Sequence, residues 1–145
     1  MRVLFVTSDD ARAKLLEAVG DGNKPKVASA PAVAVIAHDM EFYKHLGTLA
    51  PHLDPESFAA QDEAKLKMQA SNNSWLQGGY FILAARALGL DCGPMSGFNP
   101  AKVHELFFAG SSWRASFLLS LGYGSGENIR DRAPRLSFDE ACRIV

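Results

Sequence analysis

SNNSWLQGGYFILAARALGLDCGPMSGFN, residues Ser71 to Asn99, decides how the rest of the chain is read. From Trp75 on, apolar residues fall on every side of a helix: Trp75, Leu76, Tyr80 to Ala85, Ala87, Leu88 and Leu90. A helix apolar almost all round is expected to be buried. Gln77 and Arg86 leave it too short and interrupted for a membrane span. The Gly78-Gly79 pair costs about 1 kcal/mol per glycine relative to alanine. Glycines there predict close approach of another backbone, a partner helix or a flat ligand, with helix-on-helix packing the plainest of these. Gly89 supplies the stop. Beyond it, Gly93-Pro94-Met95-Ser96-Gly97-Phe98 reads as a sharply turning loop, because glycine permits tight turns and Pro94 has no N–H. The amides of Met95, Ser96 and Gly97 then lack a ladder partner and are free to face a polar ligand edge. Taken alone, the hexapeptide reads equally as a connecting turn.

Around this stretch the chain has the proportions of one domain, residues 1–145. Its hydrophobic content is 48% and its charged content 21%, ordinary for a soluble globular protein. A chain of this length buries roughly 70% of its unfolded surface and needs no staples. With 15 basic and 16 acidic residues there is no basic field to hold nucleic acid or an anionic membrane. Cys92 and Cys142 form neither a disulfide framework nor a zinc spacing and read as buried thiols in a reducing compartment. Met1-Arg2 leads straight into Val3-Leu4-Phe5-Val6, too short an apolar run for a signal core. The expected location is therefore cytoplasmic.

Before the central stretch, Arg2–Thr7 reads as a strand with apolar residues on both faces: Val3 and Phe5 on one, Leu4 and Val6 on the other. Asp9–Val19 reads as an amphipathic helix capped by Ser8 or Asp9, and Lys24–Ala30 as a short helix ending before Pro31. Ala32–Ala37, AVAVIA, is a second buried strand. His38-Asp39 opens a short helical piece through Leu46. Glu56–Gln69 is polar and helical, with Asn72-Asn73 a possible break. After the central stretch Pro100 opens a helix to Phe108, and Ser116–Tyr123 is a third strand. Ser137 to Glu140 forms a capping box for a last short helix. Few strands and a helix-rich middle predict an α+β fold.

The common catalytic constellations are missing: no GxSxG, Walker loop, HExxH or GxGxxG. His38, His45, His52 and His104 are scattered and read as surface residues with no metal pattern. Ser74, Ser96 and Ser111 have no neighbouring base in sequence. An enzyme built from these residues needs a cofactor for the hard chemistry.

GNKPKVASAPAVAVIAHD, NNSWLQGGYFILAARALGLDCGPMSGF, LGYG and RAPRLSFDEA occur in this order along the chain. Together they resemble the flavin-dependent nitroreductase superfamily, and most closely its malonic semialdehyde reductase subgroup from bacterial pyrimidine utilisation. The resemblance covers essentially the whole chain. It implies an α+β sandwich, a mainly antiparallel sheet flanked by helices, that forms a homodimer with FMN at the subunit interface. NAD(P)H and a small substrate alternate on the flavin's exposed face. By the same resemblance, Pro94 and Met95 shape the flavin loop, and the amides of Ser96 and Gly97 face the N5/O4 edge of the ring. Asn23, and Asn73 with Ser74, match flavin-contacting positions. Arg132 matches the arginine that pairs the FMN phosphate, with Arg130 assisting. Read without the resemblance, Arg132 is a solvated loop charge, Asn23 a turn residue, and Asn73-Ser74 a helix cap.

Members of the superfamily begin with a helix and an arginine-containing segment before the first strand, and this chain starts at that strand. The expectation is an N-terminally shortened domain with cover lost from the first strand and one phosphate arm absent. Where the family has arginine-asparagine-serine-serine, this chain has Asn72-Asn73-Ser74-Trp75. The activity implied is NAD(P)H-dependent reduction of malonic semialdehyde to 3-hydroxypropionate. The alternatives are a general nitro or quinone reductase, or a shortened dimerising domain without flavin.

Overall fold

In the computed structural model, which describes residues 1–126, 129 and 131–145, the chain is built outward from the AVAVIA run. The elements in order are β1 (Arg2–Val6), α1 (Asp9–Leu16), α2 (Lys24–Ser29), β2 (Ala32–Asp39), α3 (Leu46–Leu49) and α4 (Pro55–Ala59). They continue as α5 (Glu63–Ala87), β3 (Asp91–Met95), α6 (Pro100–Val103), β4 (Trp113–Gly122) and α7 (Phe138–Ala141). The sheet has four strands in the order β1-β2-β4-β3, and every pairing is antiparallel.

β2 is central, and its residues from Val33 to Asp39 are all buried. The period of two sends Val33, Val35 and Ala37 to one face of the sheet, and Ala34 and Ile36 to the other. On the first face they meet Leu15 of α1, Val27 of α2, Val103 of α6 and Phe108. On the second they meet Phe117, Leu119 and Leu121 of β4 and Phe81, Ile82 and Ala85 of α5. The result is the expected α+β sandwich with helices on both faces. Cover on β1 is uneven. Val6 is fully buried, Val3 and Leu4 are half-buried, and Phe5 is exposed beside the Phe81 ring.

Several sequence expectations change. His38 and Asp39 extend β2 rather than starting a helix; the helical piece begins later, as a 3-10 turn over Phe42–His45. Asn72-Asn73 does not interrupt α5, which runs unbroken for 25 residues. Asn73 turns its amide back onto the Gln69 carbonyl, 3.0 Å away, so its polar group is satisfied on the helix itself. The segment read as a loop from Gly93 begins as strand β3. Pro94 is tolerated there because β3 is an edge strand, where a missing N–H removes no second ladder. Cys92 is half-buried and Cys142 exposed, so neither thiol lies in the core.

The largest change concerns α5. Only a narrow stripe of it is buried: Leu66, Ala70, Ser74, Gly78 and Ala85. Trp75, Leu76, Tyr80, Leu83 and Leu88 are exposed, Leu83 at 67%. One glycine of the pair explains the close approach, against the sheet rather than a helix. A Cβ on Gly78 would stand 2.5 Å from Cζ of Phe117, whereas one on Gly79 would meet nothing. After α5, Gly89 takes a φ of +86° and Leu90 N donates to Ala85 O, closing the helix as a glycine C-cap does. Among the described residues no helix is long and apolar enough to cross a membrane.

Candidate functional site

β3 leaves the sheet after Met95, which pairs opposite Leu118. The next two residues, Ser96 and Gly97, are exposed, and among the described residues neither amide donates to the protein. Their surroundings hold them in place. The Gly97 carbonyl accepts from Gly20 N at 3.0 Å and from Asn23 Nδ2 at 3.3 Å. Phe98 N donates to Ser96 O, and Asn99 N to Ala18 O. The two glycines serve close approach, not a left-handed turn. A Cβ on Gly93 would fall 2.4 Å from Ser120 Oγ, and one on Gly97 would fall 2.7 Å from Asn23 Nδ2. Two adjacent amide donors are thus left free at a rigid strand end.

A cavity of about 260 Å³ lies beside them, lined by Pro94, Met95 and Ser96 on one side and Trp75, Gly79 and Ile82 of α5 on the other. Trp75 stacks on Phe117, with ring centroids 4.7 Å apart and planes 22° off parallel. Gly79 contributes no side chain, and that absence is what opens the space. The cavity therefore offers an aromatic and apolar wall with hydrogen-bond donors at its rim, which fits the edge of a flat conjugated ring such as a flavin.

Of the residues expected at a flavin site, the structure brings Pro94, Met95 and Ser96 to this cavity, with Gly97 next along the chain and Asn23 joined to it through the Gly97 carbonyl. Asn73 lies elsewhere, on a cavity of about 580 Å³ shared with Arg2, Asp39 and Phe42. Ser74 is fully buried on the sheet-facing side of α5 and donates to the Ala37 carbonyl at 3.0 Å. Arg132 is exposed in the C-terminal segment and does not line the cavity. Arg130 falls outside the described residues. Sequence reasoning does not group Trp75, Gly79 and Ile82. Their spacing at i, i+4 and i+7 places them on one helix face, and that was the available signal.

The far end of β2 carries a charged cluster. Arg2 Nη2 is 2.8 Å from Asp39, which also accepts from Ser112 Oγ at 2.6 Å and from the Glu41 amide at 2.9 Å. Burial pushes the Asp39 carboxyl upward, but these hydrogen bonds outweigh it and hold the group below the usual carboxylate range. His38, expected at the surface, is only 5% exposed. Burial, and then the charges of Lys67 and Arg114, hold its ring below the usual histidine range and therefore neutral at pH 7.

Comparison with known proteins agrees with this architecture. Residues 1–123 match the family model described as Nitroreductase family. A protein of Stenotrophomonas maltophilia strain K279a, provisionally named NADH dehydrogenase/NAD(P)H nitroreductase, is 51% identical over 144 residues. The match spans 99% of this chain and 74% of that one. The crystal structure of a nitroreductase family protein from Streptococcus pneumoniae TIGR4 superposes with a TM-score of 0.84 at 21% identity, covering 99% of this chain and 78% of that one. An Exiguobacterium sibiricum protein solved in complex with FMN superposes with a TM-score of 0.83 at 21% identity, covering 99% and 76%.

Proposed function

The chain belongs to the nitroreductase family, whose enzymes are NAD(P)H-dependent flavin oxidoreductases using FMN, and from that premise we propose that it reduces malonic semialdehyde to 3-hydroxypropionate. The observation that carries the flavin part of this reading is the pair of unspent amides at Ser96 and Gly97, beside the gap left by Gly79. FMN, when bound, supplies a two-electron carrier between NAD(P)H and a second small molecule. The chain's own residues do the rest. The Ser96 and Gly97 amides would donate to the polar edge of the ring, where fixed donors favour negative charge. Phe98 N holds the Ser96 carbonyl, which shares a peptide plane with the Gly97 amide and so sets that amide's direction, and Asn23 holds the next peptide through the Gly97 carbonyl. Trp75, stacked on Phe117, would supply one aromatic wall. Arg132 is the proposed phosphate partner, since a planar guanidinium suits paired phosphate oxygens.

The cavity of about 260 Å³ lies just below the 300–1,000 Å³ or so that buries most of a cofactor-sized ligand. The remaining wall is proposed to come from a second copy of the chain, seated on the exposed Leu76, Tyr80, Leu83 and Leu88 of α5 beside Phe81. The name of the 51% identical relative favours a second reading, reduction of nitro compounds.

The deciding experiment is spectroscopic. Purified protein should be yellow, and NADPH or NADH should bleach it; a colourless protein that takes up no added FMN overturns the flavin reading. Turnover of malonic semialdehyde well above that of a nitroaromatic supports the first substrate, and the reverse order supports the second. Arg132→Ala should weaken FMN binding by about 1.5–3 kcal/mol, roughly tenfold or more. An unchanged flavin titration removes Arg132 from the site.

A further inference from the structure

Two cavities open along a single face of α5. The one beside Ser96, of about 260 Å³, takes Trp75, Gly79 and Ile82 from the helix. The other, of about 500 Å³, takes Glu63, Lys67 and Ser71 from the turns before them, and Trp75 again. Steps of four residues, and of three at the end, keep all six on one side of a helix. β4 floors both cavities, with Ser116 under the larger and Phe117 under the smaller. The facing wall passes from the end of β3, at Ser96, to Pro100 and Ala101 of α6. The two cavities are therefore halves of one groove, and among the described residues Trp75 alone lines both.

The indole is held from the sheet side. Phe117 is only 3% exposed, and the α5 backbone at Gly78 comes so near its ring that even a methyl there would collide with it. That leaves the ring no room to move toward the helix. Trp75 lies on it with the two planes 22° off parallel, at a separation that stacked aromatic pairs favour. Swinging the indole aside would give up this contact, so the groove is divided by a fixed wall.

We propose that Trp75 sets the size of the electron acceptor: its indole ends the groove beside Ser96, so that acceptors with a short chain or one ring fit there and those with two fused rings do not. The sheet closes the smaller cavity from beneath, and α5 and the end of β3 close its sides. The second copy proposed above covers it from outside. Length along α5 is the dimension left, and the indole stops it at one end. A room of about 260 Å³ has to take the flavin edge and the acceptor together. Without the indole it would run on into the larger cavity. Assigning a reaction to this room rests on the reductase reading; the partition itself does not.

Binding and turnover are read separately. In the flavin-free full chain, labelled with nitrogen-15, phenol and 2-naphthol are the one-ring and two-ring probes, and the Ser96 amide resonance reports occupancy. Phenol should shift this resonance, and 2-naphthol should bind about tenfold more weakly or worse, the scale of penalty that a fixed pocket sets on excess bulk. Trp75→Ser, which brings in the serine of the superfamily pattern, should erase most of that difference. Trp75→Phe, which keeps a stacked ring, should preserve the parent's order. Trp75 is half-exposed, so its truncation is not a core deletion; if the serine variant fails to fold, Trp75→Leu, which keeps apolar contact with Phe117, decides in its place. In the FMN-loaded protein, NADPH oxidation by nitrobenzene and by 2-nitronaphthalene is compared per bound flavin. The two-ring to one-ring ratio of kcat/KM should rise about tenfold in the truncated variant. A parent whose Ser96 amide ignores phenol, or responds to 2-naphthol as readily, overturns the proposal, and so does a truncated variant that keeps the parent's order. A loaded protein that reduces neither compound while the probes bind as stated keeps the partition and loses the reductase reading. One that reduces both with an unaltered ratio overturns the acceptor role of Trp75 and leaves the reductase reading standing.

Discussion

The two helical layers covering the sheet are made differently. On one face, three short helices each send a large side chain to complete burial: Leu15 from α1, Val27 from α2 and Val103 from α6, all at 0% exposure. On the other, a single long helix buries chiefly small residues, Ala70, Ser74, Gly78 and Ala85, and turns Tyr80, Leu83 and Leu88 outward. The first layer is finished within the chain. The second sits close on the sheet through small residues and carries its apolar bulk on the outside, where only another molecule can cover it. High apolar content in a helix therefore says that it will be covered, not by which chain.

Equal truncations on the two layers should act on different quantities. Leu15→Ala should lower folding stability by about 2–5 kcal/mol, read by denaturant unfolding, because the closed layer cannot collapse around the void. Leu83→Ser should leave single-chain stability within about 0.5 kcal/mol but weaken self-association, read by sedimentation at micromolar concentration. A parent chain that stays monomeric there would break the comparison.

The glycine pair sharpens it. Gly78→Ala forces a methyl into the Phe117 ring. Overpacking of this kind costs about 1–3 kcal/mol, offset by up to about 1 kcal/mol of helix propensity, so net destabilisation is expected in thermal melts. Gly79→Ala meets nothing and should stabilise the flavin-free chain by up to about 1 kcal/mol. Because Gly79 lines the cavity beside Ser96, the same variant should retain less FMN.

The smallest effects are those of pH, at the end of β2 between the two layers. The unfolded chain's His38 takes up a proton below about pH 6.5, while the folded ring, with its lowered pKa, resists doing so. Stability should therefore fall as pH drops below that point until the folded ring also titrates, and His38→Gln should remove this slope. Asp39 acts lower. Its folded pKa lies below the unfolded value of about 3.9, so its contribution is present above that pH and is lost as pH falls through the folded value. Melting temperature against pH checks both.

The parts of the fold that were legible in the sequence are those where local chemistry and tertiary role coincide. AVAVIA is buried from Val33 on, toward both faces of the sheet, as an uninterrupted apolar run implies, and Ser8 and Ser137 cap helices as their positions suggest. β3 was hidden because Gly93-Pro94 is turn chemistry that only an edge strand and the Ser120 hydroxyl make acceptable. Ser74 reads as a cap from its neighbours, yet it lies within α5 and bonds to a strand 37 residues away. His38 carries no local mark of burial, and its partner Ser116 is 78 residues distant. At the candidate site, the GPMSG segment was readable and the helix wall opposite it was not, because Trp75 and Gly79 gain their meaning from what they face.

Arg12 has a consequence for motion. Its guanidinium donates to the carbonyls of Thr7, Val27, Ala30 and Pro31, so one side chain on α1 grips the residue after β1, the last turn of α2 and the approach to β2. A six-residue helix such as α2 has little stability of its own and would ordinarily fray alone. Held in this way, it can open only when the guanidinium lets go, and that also frees the entry to β2. Amides of α1 and α2 should then exchange with solvent as one cooperative unit, at a common opening free energy, rather than in a gradient from each helix end.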